Sequence, residues 1–228
     1  MILLMTAVHG RREILKQVID HHAHLPWLKF AVCSTDEEVD FMNDNGWYAY
    51  QTDNEPLGRK WDMGMRAALL VPKWERIVVI GSDDFLSPEY VTKVESLSEH
   101  FAGVKKIYFV NSKTKAATEH TYAPHAPQKM FVGAGRTLSR HAIEWTIQSQ
   151  GGLYSWHKRR GLDYDSEQRL MAAGFFPKEI KSVKPLVMDL KSETNIWGFG
   201  SFGGRGHKNK TVSIDEVKKQ IGYEEPKL

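Results

Sequence analysis

Residues 76–84 read RIVVIGSDD, an apolar run that ends in two adjacent acids. The β-branched residues from Ile77 to Ile80 are typical of a strand that is buried on both faces of a sheet. Asp83 and Asp84 follow at the carboxyl end of this strand, where open α/β sheets bind their ligands. The stretch therefore predicts the central strand of an α/β fold with an acidic ligand site at its edge.

The sequence before this stretch alternates strand-like and helix-like segments, the pattern of a parallel sheet covered by helices. We predict strands at 2–8, 28–34 and 47–51 from their short apolar runs. The helices between them end before Pro26 and Pro72, because proline cannot continue a helix.

The sequence after the acidic turn is predicted to be less regular. A helix over 88–100 and a strand over 107–110 continue the alternation, and a polar excursion covers 111–130. Further helices are predicted at 139–148 and around 168–171. The C-terminal part is expected to be irregular, since glycines and aromatic residues interrupt its pattern.

A chain of 228 residues has the length of one large α/β domain or two small ones. Without a repeat or a low-complexity tract, the simplest interpretation is one domain over 1–228. We expect a nucleotide-binding half at about 1–110 and an acceptor-side half with a tail at about 111–228.

Composition excludes several classes of protein. The chain is 41% hydrophobic and 26% charged, as in an ordinary globular protein. Its net charge of +3 is mild for a dedicated nucleic-acid module, although basic residues at 158–160 and 205–210 could meet phosphates. The single cysteine, Cys33, fits a reducing compartment and predicts a cytoplasmic protein. No apolar stretch approaches the ~20 residues of a membrane span.

The two acids of the turn are candidate metal ligands. Their carboxylate oxygens suit Mg²⁺ or Mn²⁺, which complete their shells with water and substrate phosphate. Such an ion would neutralise charge on a diphosphate leaving group. The alternative is that Asp83 and Asp84 only cap the turn and the following helix.

The stretch from Val78 to Tyr90 resembles the acidic metal-binding stretch of family 2-like GT-A glycosyltransferases, where an apolar strand ends in Asp-x-Asp. Gly81 stands at the first Asp position, so Asp83 matches and Asp84 is its neighbour. The resemblance implies a GT-A (Rossmann-like) α/β fold with a mostly parallel sheet flanked by helices. It also implies a nucleotide-sugar donor, first of all a UDP-sugar, and Mn²⁺ or Mg²⁺, with His207 as a further ligand.

The loops that follow the first strands also look like the family's donor-binding segments. Residues 6–11 resemble the loop that holds the nucleotide, and residues 34–36 the segment that contacts the base or ribose. Residues 54–64 are similar to the entry into the helix before the acidic turn. Arg11 could instead be a solvated surface residue, and Asp36 a helix cap. The resemblance implies donor contacts from Thr6, Ala7, His9, Arg11, Asp36, Gly58, Lys60, Ser82 and Asp83.

A second acidic stretch is a candidate for the catalytic base. Residues 161–170 are similar to the family's Glu-Asp-x-x-x-x-x-Arg stretch, whose carboxylate is the base in inverting members. Six positions before Arg169 stands Asp163, with Leu162 in place of the usual Glu. Asp163 is expected to take the acceptor proton, with Asp165 in reserve. Alternatively, either aspartate caps a helix.

Three further motifs are interpreted more simply. Gly133 to Arg136 lacks the third glycine of a dinucleotide fingerprint, and the family resemblance implies that this segment lines the acceptor side. His21, His22 and His24 are expected to form a basic helix C-terminus rather than a metal site. Trp197 and Phe199 in the tail are expected to stack on a sugar or a base.

The sequence thus predicts an inverting, metal-dependent glycosyltransferase whose acceptor is a glycan, a small molecule or a modified nucleic acid. A nucleotidyltransferase acting on a sugar phosphate would share the sheet and the acidic site. It should carry a Gly-rich basic loop after the first strand, where this chain has only the short segment 9–12. A nucleic-acid-binding module is the other alternative, suggested by the basic and aromatic tail. Both ideas meet in a glycosyltransferase that acts on a modified DNA base.

Overall fold

The structure, a computed structural model, describes residues 1–122, 131–192 and 208–224. Its strands and helices within these residues alternate over the first half of the chain. The strands are β1 (Ile2–Ala7), β2 (Leu28–Cys33), β3 (Tyr48–Gln51), β4 (Arg76–Gly81), β5 (Asp84–Leu86), β6 (Phe101–Gly103), β7 (Lys106–Asn111), β8 (Ala117–Thr121), β9 (Arg136–Ser139), β10 (Lys178–Glu179), β11 (Val187–Lys191) and β12 (Lys208–Val212). The helices are α1 (Arg12–His22), α2 (Asp36–Asp44), α3 (Leu57–Ala68), α4 (Pro88–Glu95), α5 (Arg140–Gln150), α6 (Leu162–Ala172) and α7 (Ile214–Ile221).

The larger sheet has the strand order β10-β6-β9-β4-β1-β2-β3. Its centre is parallel, since β4, β1, β2 and β3 pair in the same direction, while β9 runs antiparallel to β4 and β6. The carboxyl ends of the central strands therefore meet at one edge. The predicted α/β fold with a mostly parallel sheet is confirmed.

The smaller sheet has the order β12-β8-β7-β11-β5 and is mostly antiparallel. The sequence analysis missed this sheet. Its strand β5 has only three residues and directly follows the acidic turn, and β8 lies in the polar excursion. The expected irregularity of the C-terminal part is wrong where β11, β12 and α7 are described.

The core explains why the acidic turn lies between the two sheets. Side chains of β4 alternate, so that Ile77 packs in one apolar cluster while Val78 and Ile80 pack in another. The second cluster includes Phe85 of β5 and Tyr108 of β7. The chain passes from the larger sheet at β4 into the smaller sheet at β5, and the acids stand at this crossing.

The helix after the acidic turn begins with its own cap. The Ser87 side chain accepts a hydrogen bond from the Tyr90 backbone N–H, and Pro88 occupies the first turn. The alternative that Asp83 and Asp84 cap this helix is therefore wrong. The helix also ends at Glu95 rather than at residue 100. None of the described helices is long and apolar enough to cross a membrane.

Candidate active site

Three aspartates form an acidic cluster at the crossing between the sheets. Asp83, Asp84 and Asp189 each place a carboxylate oxygen within 4.8 Å of the others. Asp84 begins β5, and Asp189 lies directly opposite it on the antiparallel strand β11. The sequence analysis missed Asp189, because no local motif links it to the acidic turn. A single acid inside the apolar segment 186–190 was the one signal.

Burial and the repulsion between the carboxylates raise the pKa values of Asp84 and Asp189. Burial, and then the charges of Asp189 and Asp83, raise the pKa of Asp84 well above its ordinary value. Burial, and then the charge of Asp83, raise the pKa of Asp189 to about 7. Asp189 Oδ1 is buried and has no hydrogen-bond partner among the described residues. Three converging carboxylates with an unpartnered oxygen fit a hard divalent cation such as Mg²⁺ or Mn²⁺.

Two basic side chains flank the cluster. Arg11 Nη1 lies 2.7 Å from Asp83 Oδ2, and Arg11 Nη2 donates a 2.8 Å hydrogen bond to Ser82 Oγ. The Lys191 ammonium forms an ion pair with Asp189. Arg11 is therefore a partly buried, ion-paired residue and not a solvated surface residue, while its contact with a donor stays a prediction.

Gly81 explains how the turn differs from an Asp-x-Asp motif. A Cβ atom at this position would lie 2.7 Å from Asp83 Oδ1 and 3.0 Å from Asp84 Oδ2. The Gly81 N–H also donates to Asp84 Oδ2. A side chain here would displace the carboxylates, and the third acid of the cluster is Asp189 of β11.

The loop after β1 is tied to the loop after β2 by one carboxylate. Glu38 Oε1 accepts a 2.7 Å hydrogen bond from the Gly10 N–H, and Glu38 Oε2 accepts one of 2.7 Å from the Ser34 N–H. His9 is exposed beside this junction and Ala7 is partly exposed. The backbone of the predicted nucleotide loop is thereby held in place, with His9 accessible to a ligand.

Four predicted donor residues need comment, and for Asp36 only the alternative that it caps a helix is wrong. Thr6 is fully buried in the core of β1, so its side chain does not reach a ligand. Thr35, and not Asp36, caps α2, and Asp36 is an exposed residue of the first turn. Gly58 approaches protein rather than a donor, since a Cβ there would lie 2.1 Å from the Ser155 carbonyl oxygen.

Lys60 is the fourth of these predicted donor residues. Its ammonium group is buried and donates to the Val8 carbonyl oxygen, to Ser34 Oγ and to Asn54 Oδ1. Burial lowers the pKa of Lys60 to about 8. Lys60 therefore joins the ends of β1 and β2 and is not free to reach a phosphate.

Asp163 lies in the first turn of α6 and is not the N-cap residue of this helix. The cap position is Gly161, in the left-handed region with φ 69°, and it provides no side-chain cap. The Asp163 carboxylate instead lies against Gly133, where a Cβ would stand 2.1 Å from Asp163 Oδ1. The glycine of segment 133–136 thus leaves room for this carboxylate.

Asp165 has structural partners. It accepts hydrogen bonds from the Ser155 N–H at 2.7 Å and from Ser155 Oγ at 2.9 Å, and Lys158 Nζ lies 2.9 Å away. Although burial alone would raise it, these hydrogen bonds lower the pKa of Asp165. Asp165 therefore anchors the loop before α6, which leaves Asp163 as the better candidate base.

A buried arginine supports the start of α6. Arg136 Nη1 donates to the Asp163 carbonyl oxygen at 2.9 Å and to Ser166 Oγ. Its Nη2 lies 3.6 Å from Glu167 Oε2, and both side chains are 1% exposed. Arg136 thus fixes the backbone that presents Asp163, a role that the sequence analysis did not predict.

Tyr122 is sensitive to the charges of both Asp163 and Asp189. Burial raises the pKa of the Tyr122 hydroxyl, and the charges of Asp163 and Asp189 raise it further. Both carboxylates therefore lie within electrostatic reach of one hydroxyl group. His207, Trp197 and Phe199, which were predicted to contribute to the site, lie outside the described residues.

His21 and His22 pack into the protein at the end of α1 and do not form the basic helix C-terminus that the sequence predicted, because burial lowers the pKa of both side chains. His21 Nε2 lies 2.8 Å from the Leu86 carbonyl oxygen, and burial lowers the pKa of His22 to about 3. Among the residues that the structure describes, the only group of metal-ligand type is the aspartate cluster.

Comparison with known proteins identifies the fold. No protein-family model and no curated protein matches the chain. Among solved structures, it is similar to S. aureus TarS 1–349, with a TM-score of 0.54 and 10% identity over 83% of this chain. It is also similar to the inositol-1-phosphate CTP transferase from T. maritima, with a TM-score of 0.53 and 12% identity.

The coverage differs between these structures. The chain spans 60% of the length of the TarS fragment and 89% of the CTP transferase, which it matches over 84% of its own length. At such low identity the similarity defines the fold. The chain has the GT-A-like α/β fold that the sequence motifs predicted.

Proposed function

We propose that this protein is a metal-dependent glycosyltransferase that moves a hexosyl or pentosyl group from a nucleotide-sugar, first of all a UDP-sugar, to an acceptor hydroxyl with inversion. The observation that carries this proposal is the cluster of Asp83, Asp84 and Asp189 at the carboxyl end of β4, where Asp189 Oδ1 is buried and has no hydrogen-bond partner among the described residues. A base and a diphosphate site must face one another across a sugar for direct displacement.

The acidic cluster is the proposed site of Mn²⁺ or Mg²⁺. Asp83, Asp84 and Asp189 would hold the ion, which supplies neutralisation of charge on the departing diphosphate. Arg11 and Lys191 lie beside these carboxylates and would attract the donor phosphates. Ser82 and His9 would complete the donor contacts near the end of β1.

Asp163 is the proposed general base. The acceptor oxygen attacks the anomeric carbon, the bond from that carbon to the diphosphate oxygen breaks, and the acceptor proton passes to an Asp163 carboxylate oxygen. Gly133 leaves space for that carboxylate, and Arg136 holds the backbone that carries it. Asp165 retains its structural contacts in this scheme.

A nucleotidyltransferase acting on a sugar phosphate is the second candidate. The similarity to a T. maritima CTP transferase favours it, because that protein covers the chain as fully as TarS does. Against it stands the segment between β1 and α1, residues 8–11, which is short and has one glycine. The basic residue of that segment, Arg11, is held by Asp83 and Ser82.

The two candidates release different products. The protein would be incubated with Mn²⁺ and a panel of nucleotide-sugars, and in parallel with nucleoside triphosphates and sugar phosphates. We expect nucleotide-sugars to raise the melting temperature in the presence of Mn²⁺, and slow release of nucleoside diphosphate. Asp83→Ala should abolish both, while Asp40→Ala, at an exposed acid on α2 with no predicted role, is the matched control. Pyrophosphate release from a triphosphate would refute the proposal.

Cellular location and domain organisation are proposed from the sequence. The only cysteine, Cys33, is buried, and burial raises the pKa of its thiol to about 12. An unreactive, unpaired thiol is compatible with the proposed cytoplasmic location. We also propose that residues 1–228 act as one unit, whose donor side is formed by residues 1–110 together with Asp189 and Lys191 of β11.

A further inference from the structure

A basic and aromatic surface lies beside the start of α6. We define it as Arg59, Trp156, His157, Arg159 and Arg160, all of which are exposed. It joins two segments, because the Gly58 N–H donates a 2.8 Å hydrogen bond to the Lys158 carbonyl oxygen. The first residues of α3 and the loop between α5 and α6 thus form one continuous surface.

Trp156 is held rigidly although it is exposed. Its Nε1 donates a 2.8 Å hydrogen bond to Asp62 Oδ2, and Asp62 is fully buried. Asp62 Oδ1 accepts from the Leu153 and Tyr154 N–H groups at 2.6 and 3.1 Å. The indole nevertheless remains 47% exposed. A buried carboxylate therefore orients a large aromatic ring toward solvent.

Two arginines of this surface form exposed ion pairs with neighbouring acids. The Arg59 guanidinium lies 5.7 Å from the centre of the Trp156 ring. Arg59 pairs with Asp53 at 3.7 Å and Arg159 with Glu55 at 3.3 Å, and all four side chains are exposed. Exposed pairs of this kind contribute little free energy, so a phosphate group can replace the carboxylate at little cost.

The surface is next to the proposed base. Arg160 is followed by Gly161 and Leu162, and then by Asp163 in the first turn of α6. The loop that carries Trp156 is also bound to this turn, because the Ser155 N–H and Oγ both donate to the Asp165 carboxylate. A stacking indole surrounded by guanidinium groups suits unpaired bases on a phosphate backbone, whereas an uncharged glycan would use the ring alone.

We propose that this surface binds single-stranded nucleic acid, and that the acceptor of the transfer reaction is carried on it. An unpaired base stacks on Trp156, while Arg59, Arg159 and Arg160 contact phosphates. The binding part of this inference stands independently, and its role as acceptor rests on the proposed function.

Fluorescence anisotropy with a labelled oligothymidylate tests the binding. We expect Trp156→Ala to weaken binding about 10-fold or more, because loss of one base–aromatic stack has an effect of that order. Trp156→Phe should restore most of the affinity, since it keeps a ring for stacking. Trp145→Ala is the matched control: Trp145 is also 47% exposed, but lies on α5, outside the surface.

The arginines give a second, independent readout. Arg159→Gln with Arg160→Gln should reduce the dependence of affinity on salt concentration, because fewer counterions are released from the phosphates. Lys181→Gln, at an exposed lysine elsewhere, should leave the salt dependence unchanged. This comparison keeps the proposal testable if Trp156→Ala does not fold.

Three outcomes would overturn the proposal: no oligonucleotide binding by the wild type, equal binding of an abasic oligonucleotide, or equal losses in Trp156→Ala and Trp145→Ala. The Mn²⁺-dependent melting shift with nucleotide-sugars separates this inference from the proposed function. We expect Trp156→Ala to keep that shift. A wild-type protein that shows the shift without binding DNA or RNA contradicts only the surface proposal.

Discussion

Replacing Asp189 with asparagine should stabilise the metal-free protein at alkaline pH. Burial and the neighbouring Asp83 raise the pKa of Asp189 from its ordinary value near 4 to about 7. Because the folded state binds the proton more tightly than the unfolded state, stability falls as pH rises between these two values. Above pH 7 the ionised carboxylate costs the folded state on the order of 4 kcal/mol at most. The asparagine side chain avoids this cost, since an amide carries no charge.

Urea denaturation in the presence of a chelator measures this difference. At pH 8 we expect Asp189→Asn to exceed the wild type by about 1–4 kcal/mol in the free energy of unfolding, and at pH 4 the two should agree. Asp40→Asn, at an exposed acid in the middle of α2, is the control. With saturating Mn²⁺ the order should reverse, because the variant lacks one ligand. A variant that is less stable than the wild type at pH 8 without metal would refute the reasoning.

The remaining predictions concern the base, the turn and the loop. Asp163→Asn should lower kcat by about 10²–10⁴-fold and leave the Mn²⁺-dependent melting shift intact, as measured by nucleoside diphosphate release; an equal loss of donor binding would contradict its role as base. Gly81→Ala should destabilise the protein by about 1–3 kcal/mol in urea denaturation, since its Cβ would stand 2.7 Å from Asp83 Oδ1; full stability and full metal binding would show that the turn tolerates a side chain. Asp62→Asn should lower the free energy of unfolding by about 1–3 kcal/mol and shift the fluorescence of Trp156, because Asp62 accepts three hydrogen bonds from the loop between α5 and α6. An unchanged fluorescence spectrum would contradict this anchoring role.

Much of the larger sheet could be predicted from the sequence. The strand 76–81 is apolar on both faces, and its alternation places Ile77 and Val78 in different core clusters. Proline also marked the approximate ends of α1 and α3. Local pattern was sufficient here because β1, β2 and β4 each have six residues, most of them buried. The position of Asp83 at the sheet edge followed from the same pattern.

The smaller sheet and the third acid of the cluster could not be predicted in this way. Asp84 and Asp189 meet only because β5 and β11 pair across a long separation in sequence. Lys60 was predicted to be a phosphate ligand because its local sequence gives no sign that it is buried. Its burial depends on contacts with Val8 and Ser34, which follow other strands. Long-range pairing of this kind leaves no local signal in a single sequence.

The central claim is that Asp83, Asp84 and Asp189 hold a divalent cation against a diphosphate. Its most direct test is an anomalous-scattering map from crystals grown with Mn²⁺ and UDP. The account predicts a manganese peak at about 2 Å from carboxylate oxygens of this cluster, in contact with phosphate oxygens of the nucleotide. A nucleotide bound elsewhere, or a manganese ion bound without any of the three aspartates, would contradict it.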